Sequence, residues 1–234
     1  MQAVILAGGE GRRLRPLTAN TPKSMLLVAG KPFLEYEINL LKRASVDDLV
    51  ICIGYGGKAI MDHFGNGQSH GVRIRYSDDG DRLLGTAGSL KKASGLLSER
   101  FFITFGDAYP ILDFRTAWKH FLLTHKLALM MVYRNCNRYG RSNAVIRDGM
   151  VSFYSKKEDA PGMEYIEFGV TFMSKKVLEM IPDDRPVDLE VLYRQLISKK
   201  QMAALEVKQR TYDIGSPQGL AEFRELVNSG QIQF

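Results

Sequence analysis

Apolar runs alternate with amphipathic stretches through the first half of the chain. Continuous or alternating apolar residues bounded by glycine or polar residues indicate strands, whereas apolar residues spaced by three and four indicate helices. The predicted strands are Ala3–Ala7, Leu49–Ile53, Val72–Tyr76, Phe101–Phe105 and Leu127–Tyr133. The predicted helices are one that begins at Pro32, then Lys58–Phe64, Ala87–Leu97 and Phe114–His125. This alternation predicts an α/β fold with a mostly parallel sheet flanked by helices.

The pattern changes in the second half. Two short apolar segments, Asn143–Ile146 and Met150–Tyr154, flank the pair Asp148-Gly149, which predicts a hairpin. Further strands are predicted at Ile166–Met173, Leu205–Val207 and Thr211–Ile214, and helices at Leu189–Ile197 and Leu220–Val227. We expect a smaller, antiparallel, lid-like region on the substrate side. The chain is interpreted as one domain, with residues 1–130 binding nucleotide and residues 131–234 binding the second substrate and closing the site.

Composition fits a globular protein and excludes several other classes. The 234 residues are 45% hydrophobic and 25% charged, which argues against disorder, collagen and coiled coils. The longest apolar run, Leu127–Tyr133, is far shorter than the roughly 20 residues of a membrane helix. No signal peptide is predicted. Cys52 and Cys136 are expected to be buried thiols, which suits a reducing cytoplasm.

The chain is basic, with 32 Lys and Arg residues against 26 Asp and Glu and a net charge of +6. A modest excess of this kind suits phosphorylated small molecules as partners. No basic stripe with interleaved aromatic residues of the RNA-binding type is visible, so we expect no nucleic-acid partner. Arg12, Arg13, Arg15 and Lys23 lie close together in the sequence, which predicts a phosphate site there.

A glycine-rich segment follows the first predicted strand and carries these cations. It reads LAGGEGRRLRPLT from Leu6 to Thr18 and is followed by Thr21-Pro22-Lys23. Its glycines let the backbone approach a ligand, and free N–H groups can bind phosphate oxygens. The spacing fits neither the dinucleotide fingerprint nor the Walker loop. A simple glycine turn with surface arginines is the alternative reading of the spacing alone.

The same segment closely resembles the signature of sugar-1-phosphate nucleotidylyltransferases, LAGGxGTRLxPxT followed by PKP. The matching residues are Leu6, Ala7, Gly8, Gly9, Gly11, Arg13, Leu14, Pro16, Thr18, Pro22 and Lys23. This chain departs from the signature at Arg12, which replaces a threonine, and at Ser24, which replaces the second proline. The resemblance extends over most of the chain and is closest to the heptose and mannose 1-phosphate guanylyltransferases.

The resemblance implies roles for individual residues. Arg15 and Lys23 are expected to be catalytic, and Asp107 and Asp213 to bind Mg²⁺. The nucleotide is expected to contact one set of residues: Leu6, Ala7, Gly8, Gly9, Gly11, Arg12, Arg13, Gly85 and Thr86. The sugar phosphate is expected to contact Asn143, Lys156, Glu167 and Gly169. The family's glutamate before the lysine is Ser155 here. The segment from Arg138 to Asn143 is interpreted as a loop before a hairpin, with a substrate-side loop as the alternative.

We therefore expect a Rossmann-like enzyme that transfers a nucleotidyl group from a nucleoside triphosphate to a sugar 1-phosphate. The resemblance favours GTP and a manno-configured acceptor, such as D-glycero-D-manno-heptose 1-phosphate or mannose 1-phosphate. Uridylyl or cytidylyl transfer to another sugar phosphate or a phosphorylated alcohol is the alternative within the family. A nucleotide-binding regulatory module without activity is the alternative of another class. No membrane partner is expected, and a homodimer is compatible with the family.

Overall fold

The computed structural model of the chain describes residues 1–80, 82–183 and 185–232. The strands are β1 (Gln2–Leu6), β2 (Leu27–Val28), β3 (Lys31–Pro32), β4 (Asp48–Ile53), β5 (Arg73–Asp78), β6 (Arg100–Phe105), β7 (Ala108–Tyr109), β8 (Ala128–Arg134), β9 (Ala144–Arg147), β10 (Met150–Tyr154), β11 (Tyr165–Ser174), β12 (Met202–Val207) and β13 (Tyr212–Asp213). The α-helices are α1 (Phe33–Arg43), α2 (Gly57–Phe64), α3 (Gly85–Lys92), α4 (Phe114–Thr124), α5 (Leu189–Ser198) and α6 (Pro217–Asn228). Short 3-10 helices occupy Arg12–Leu14, Lys23–Met25, Gln68–His70, Ala93–Leu96 and Lys175–Met180.

A nine-stranded sheet forms the centre of the molecule, in the order β5-β4-β1-β6-β11-β8-β12-β10-β9. The first four strands in this order are parallel, which confirms the predicted α/β fold. Strand β11 continues the sheet antiparallel to β6, β8 is antiparallel to β11, and β12 is parallel to β8. The antiparallel character expected of the second half is confirmed by most of its strand pairings. Strands of the second half are buried in the same sheet, a partnership that apolar periodicity along one strand cannot reveal.

Both faces of this sheet are covered. Alternate residues of β1 point to opposite sides, so Val4 packs in one apolar cluster and Ile5 in another. Helices α3 and α5 contribute Leu90 and Leu192 to the first cluster. Helices α1, α2 and α4 cover the other face, where Leu34 is among the fully buried side chains. The near-continuous apolar character of the central strands follows from burial on both faces.

A third apolar cluster holds the end of the chain against the start of α1. Phe223 of α6 is fully buried, with its ring centroid 4.8 Å from Phe33, 5.6 Å from Tyr36 and 5.3 Å from Tyr109. Helix α6 begins with Pro217 at its first position, and the Ser216 hydroxyl accepts a hydrogen bond from the Gly219 amide. The cluster thereby fixes the short strands β7 and β13, which pair with each other.

Two local predictions need correction. Helix α1 begins at Phe33 rather than Pro32, because Pro32 is extended and pairs with Leu27 in the hairpin formed by β2 and β3. Cys52 is buried as predicted, but Cys136 is exposed in a turn with φ of +46°. The apolar run that led to the prediction belongs to β8, which ends at Arg134, before Cys136. No helix in the described ranges is both long and apolar enough to cross a bilayer.

Replacement of Phe223 by alanine should destabilise the protein by about 3–5 kcal/mol, because it leaves a cavity among three aromatic rings. Urea denaturation would measure the loss. Leu123→Ala is the matched control, since Leu123 is 76% exposed and its removal should change the free energy of unfolding by less than about 0.5 kcal/mol. Equal effects of the two substitutions would contradict the importance of this cluster.

Candidate active site

Three strand ends define the position of the site. The register aligns Leu6 of β1 with Cys52 of β4 and Phe105 of β6. The amide of Ala7 donates to the carbonyl of Cys52 at 2.8 Å, and the amide of Gly106 donates to the carbonyl of Leu6 at 3.0 Å. Strand β1 lies between β4 and β6, so the chain order reverses here. Open α/β sheets bind ligands at the carboxyl ends of strands at such a reversal.

A first cavity of about 280 Å³ opens at these strand ends. Its lining includes eight of the predicted site residues, namely Leu6, Ala7, Gly8, Gly9, Lys23, Gly85, Thr86 and Asp107. The start of α3 forms one wall and is tied to α5, because the Thr86 hydroxyl accepts a hydrogen bond from the Leu189 amide at 2.8 Å. Gly85 has φ of +73°, and a Cβ there would lie 2.7 Å from the Val187 carbonyl oxygen. Glycine is therefore required at this wall.

A second cavity of about 430 Å³ adjoins the first. Its lining includes seven predicted residues, namely Arg13, Asp107, Asn143, Lys156, Glu167, Gly169 and Asp213. Asp107 and Phe105 line both cavities, so they form the boundary between them. Two ligands in these cavities would meet at Asp107.

Three predicted residues line neither cavity. Gly11, with φ of +62°, begins the turn Arg12–Leu14, and a Cβ at Gly11 would lie 3.0 Å from Thr18 Cγ2. Arg12 is exposed and ion-paired with Glu10. Arg15 follows this turn and is exposed. This geometry brings Arg13, but neither Arg12 nor Arg15, to the cavities. The roles assigned to Arg12 and Arg15 stay predictions.

The two aspartates are brought together by the pairing of β7 with β13. Asp213 pairs with Ala108, the residue after Asp107, and the Ile214 amide donates to the Asp107 carbonyl at 2.9 Å. A side-chain carbon placed at Gly215 would lie 3.0 Å from Asp213 Oδ1 and 3.1 Å from Asp107 Oδ2. The two carboxylates therefore face one point.

Two cations flank the same point. The Lys23 ammonium is ion-paired with Asp107 Oδ2. Arg13 Nη2 lies 2.9 Å from the position that a side-chain carbon at Gly215 would take. In the part of the chain that the structure describes, no three His, Cys, Asp or Glu side chains form a cluster able to hold a metal. The two carboxylates fit Mg²⁺, which takes hard oxygen ligands and usually completes its shell with water and substrate phosphates.

Glu167 lies in the second cavity and is held by two tyrosines. The Tyr154 hydroxyl donates to Glu167 Oε2 at 2.5 Å, and the Tyr193 hydroxyl donates to Oε1 at 3.0 Å. Burial, together with the Glu167 charge, raises the pKa of both tyrosines, so they remain hydrogen-bond donors at neutral pH. Asn143 Oδ1 accepts a bond from the Glu167 amide at 2.8 Å. Each carboxylate oxygen retains acceptor capacity for a ligand hydroxyl.

Lys156 and Ser155 occupy the place where this chain departs from the family pattern. The Lys156 ammonium lies 5.9 Å from the centroid of the Phe105 ring, at the boundary of the two cavities. Ser155 is fully buried, and its hydroxyl accepts hydrogen bonds from the amides of Lys157 at 3.1 Å and Glu158 at 2.9 Å. The serine therefore stabilises the turn that carries Lys156.

Sequence reasoning missed several residues of the cavities. Asp79, Ser89 and Asp188 line the first cavity. Tyr139 and Arg141 of the ambiguous segment line the second, together with Arg210, whose guanidinium lies 4.2 Å from the centroid of the Tyr139 ring. The position of Asp79 just after strand β5 was a usable signal, because carboxyl ends of parallel strands share one edge. Nothing local to Arg210 indicated its proximity to residues 70 positions away.

A buried carboxyl lies behind the site. Glu37 of α1 is fully buried, and within the described part of the chain neither of its oxygens has a hydrogen-bond partner of ordinary geometry. Burial raises the pKa of Glu37 well above its usual value, the nearby Thr104 hydroxyl offsets part of this, and the Asp107 charge adds to it. We therefore expect Glu37 to keep its proton in the folded protein at pH values where an exposed glutamate is ionised.

The chain forms an open α/β sheet with two adjoining cavities where the strand order reverses. Glycines line the cavities, and carboxylates and cations flank them. This arrangement is typical of proteins that bind phosphorylated ligands. A model of the Nucleotidyl transferase family matches residues 2–230, and the chain belongs to this family. The chain is 27% identical over 230 residues to D-glycero-alpha-D-manno-heptose 1-phosphate guanylyltransferase of Campylobacter jejuni, covering 98% of this chain and 100% of that relative.

Two further similarities bear on the fold and the base. N-acetylmuramate alpha-1-phosphate uridylyltransferase of Neisseria meningitidis is 41% identical over 120 residues, covering 51% of this chain and 52% of that relative, so the match spans about half its length. The crystal structure of HddC from Yersinia pseudotuberculosis complexed with GMP-PN superposes with a TM-score of 0.80 at 26% identity, covering 97% of this chain and 99% of that one. The predicted fold and the resemblance to the family are confirmed.

The raised pKa of Glu37 predicts that the free energy of unfolding depends on pH. The folded protein keeps a proton on Glu37 that the unfolded chain loses above about pH 4.5, so this group lowers the free energy of unfolding as the pH rises. Glu37→Gln replaces the titratable carboxyl group with a neutral amide. The free energy of unfolding of the variant, relative to wild type, should increase between pH 5 and pH 8 by at most about 1.4 kcal/mol per pH unit.

Urea denaturation at several pH values checks this expectation. Glu225→Gln is the control, because Glu225 is an exposed glutamate of α6 and its replacement should give a difference that is flat with pH. A flat difference for Glu37→Gln would show that Glu37 is ionised in the folded state.

Proposed function

We propose that this protein transfers a nucleotidyl group from a nucleoside triphosphate to a sugar 1-phosphate, with release of pyrophosphate. The observation that carries the proposal is the boundary between the cavities, where Asp107 lines both and faces Asp213. A nucleotide in the first cavity and a sugar phosphate in the second would place their phosphates at this boundary. Family membership and the full-length similarity to a guanylyltransferase support the same reaction.

The residues at the boundary suit the electrostatics of this transfer. Two anions must approach for in-line attack on the α-phosphate, so their repulsion is the main obstacle. Lys23 offers an ammonium in the first cavity, and Arg13 and Lys156 offer cations in the second. Asp107 and Asp213 would hold Mg²⁺, which when bound supplies further positive charge to the phosphates. The attacking phosphate is already ionised, so no general base is needed.

Asp79 in the first cavity supports guanine as the base. This side chain is 7% exposed and lines the cavity, and its buried Oδ1 has no hydrogen-bond partner among the described residues. Its Oδ2 accepts bonds from the Ser89 hydroxyl at 2.6 Å and the Leu84 amide at 3.2 Å, which fix the carboxyl group. A carboxylate accepts hydrogen bonds only. Guanine presents two adjacent donors, N1–H and the 2-amino group, whereas uracil presents one N–H between two carbonyl oxygens that a carboxylate repels.

A manno-configured acceptor is the favoured second substrate. The relatives similar along most of the chain include two named D-glycero-alpha-D-manno-heptose 1-phosphate guanylyltransferase, at 27% and 30% identity. Glu167, with Asn143 and Gly169 beside it in the second cavity, supplies acceptors for sugar hydroxyl groups. Lys156 and Arg13 would orient the 1-phosphate toward Asp107.

Uridylyl transfer is the second candidate within the same reaction. The similarity to the N-acetylmuramate alpha-1-phosphate uridylyltransferase covers half of the chain at 41% identity and supports it. Pyrophosphate release with Mg²⁺ tests both, with each ribonucleotide and dTTP crossed against mannose, glucose, N-acetylglucosamine and D-glycero-D-manno-heptose 1-phosphates. Turnover with GTP and a manno sugar supports the full proposal, and turnover with another pair keeps only the reaction. Nucleotide binding with no turnover on any acceptor would favour a regulatory module.

Asp79→Asn should lower kcat/KM with GTP roughly 10- to 100-fold, the range expected when a charge-assisted hydrogen bond to a substrate is lost. Wild-type protein should prefer GTP to ITP, which lacks the 2-amino group, and the variant should lose that preference. Asp78→Asn is the matched control, because Asp78 is exposed and its carboxylate accepts only from the Gly80 amide in the described chain. Equal use of GTP and ITP by wild-type protein would remove Asp79 from base recognition.

Asp107→Asn should lower Mg²⁺-dependent turnover by at least about 100-fold, as expected for loss of one electrostatic group at the reacting phosphates. Asp213→Asn should act in the same direction. Pyrophosphate release measures the loss, and thermal melting checks that both variants fold. Asp62→Asn, at an exposed ion pair with Lys58, should leave turnover unchanged. Undiminished turnover in Asp107→Asn would contradict the assignment of Asp107 as a Mg²⁺ ligand.

A further inference from the structure

The ammonium of Lys23 is held by the same oxygen that faces the second aspartate. Lys23 is ion-paired with Asp107 Oδ2, and this oxygen and Asp213 Oδ1 face the common point beside Gly215. The pair is largely withdrawn from solvent, since the Lys23 and Asp107 side chains are 21% and 18% exposed. An ion pair in such a setting is weakly screened and is stronger than one at the surface.

Lys23 and a divalent cation compete for this oxygen, because two cations a few ångströms apart repel each other. We propose that Lys23 is the resting counter-ion of Asp107, and that a divalent cation must displace it before binding there. The inference rests on the proposed function in taking the Asp107 and Asp213 pair as the cation site. It adds that the chain's own lysine competes for that site.

The displaced ammonium has a second anionic partner only when nucleotide is present. Lys23 and Asp107 line the first cavity together with Gly8 and Gly9, where the triphosphate is proposed to lie. A cation that enters alone leaves Lys23 unpaired in a partly buried position, which is unfavourable. When nucleotide enters with the cation, the Lys23 ammonium can pair with the nucleotide phosphates instead of with Asp107. Lys23 therefore couples the binding of the two ligands, and the coupling is reciprocal.

The local structure allows this exchange without movement of the backbone. Pro22 has an extended backbone and packs closely on Gly56. A Cβ added at Gly56 would lie 2.8 Å from Pro22 Cδ. The turn Lys23–Met25 is closed by hydrogen bonds from the Met25 amide to the Pro22 carbonyl at 2.8 Å and from the Leu26 amide to the Lys23 carbonyl at 3.1 Å. The backbone of Lys23 is thus fixed, and only its flexible side chain needs to change partner.

The test measures cation binding directly, without turnover. Mn²⁺ is titrated calorimetrically into wild-type protein and Lys23→Met, first alone and then with GTP but no sugar phosphate. Lys23→Met should bind Mn²⁺ alone about tenfold more tightly than wild type, within the range usual for coupled sites. The gain in Mn²⁺ affinity that GTP produces should be correspondingly smaller in the variant. The metal can contact the GTP phosphates directly in both proteins. The difference between their GTP-dependent gains in Mn²⁺ affinity therefore reports on Lys23.

Three comparisons make the result decisive. Lys58→Met removes an exposed lysine paired with Asp62 at 2.6 Å and should leave Mn²⁺ binding unchanged. Adding Asp107→Asn to Lys23→Met should abolish the gained affinity, which assigns the gain to this carboxylate. Lys23→Gln serves as the second variant if thermal melting shows that Lys23→Met does not fold. Mn²⁺ binding to the lysine variants that equals or falls below wild type would overturn the inference.

The outcome is separable from that of the proposed function. Absence of pyrophosphate release by wild-type protein with every substrate pair would refute the activity, yet the Mn²⁺ titrations would still report the competition. Normal turnover by wild-type protein, together with Mn²⁺ affinity that is unchanged in Lys23→Met, would keep the activity and refute the role of Lys23 as a resting counter-ion.

Discussion

The site depends on holding two carboxylates, Asp107 and Asp213, against their mutual repulsion. The chain brings them together by pairing β7 with β13, two strands of two residues each that lie about a hundred positions apart in the sequence. So small a sheet is not stable by itself. Its stability comes from the aromatic cluster around Phe223, which packs on Tyr109 of β7. The electrostatic arrangement at the site is therefore secured by apolar packing on its far side.

The charges around this pair are balanced, and that balance explains the arrangement of the neighbouring residues. Lys23 pairs with Asp107, and Arg13 approaches the same point from the second cavity. A further charge nearby would be costly, and burial together with the Asp107 charge raises the pKa of Glu37, which disfavours its ionised form. The result is a site with one cation on each side of a pair of carboxylates, which suits ligands that bring both phosphates and a divalent cation.

Helix α5 connects the two cavities. At its start, the Leu189 amide donates to Thr86 in the wall of the first cavity. About one turn later, the Tyr193 hydroxyl donates to Glu167 in the second cavity. A single rigid element thus sets the distance between the two proposed substrate sites, and Phe105 and Asp107 of the sheet edge separate them. Precise relative placement of two substrates is what an in-line transfer requires.

The sequence was sufficient to predict the alternating elements, the glycine-rich loop after β1 and the chemical character of the site. Those features are local: apolar periodicity specifies a strand or a helix, and a run such as Leu6–Thr18 carries its own phosphate chemistry. Tertiary structure decided which of these residues meet. Arg210 and the tyrosines that hold Glu167 carry no local signal of their neighbours, and Arg15 belongs to the glycine-rich motif but lines neither cavity. Strand pairing likewise placed β11 between β6 and β8 in the central sheet. Such contacts depend on register and packing between distant segments, which no pattern along a single segment encodes.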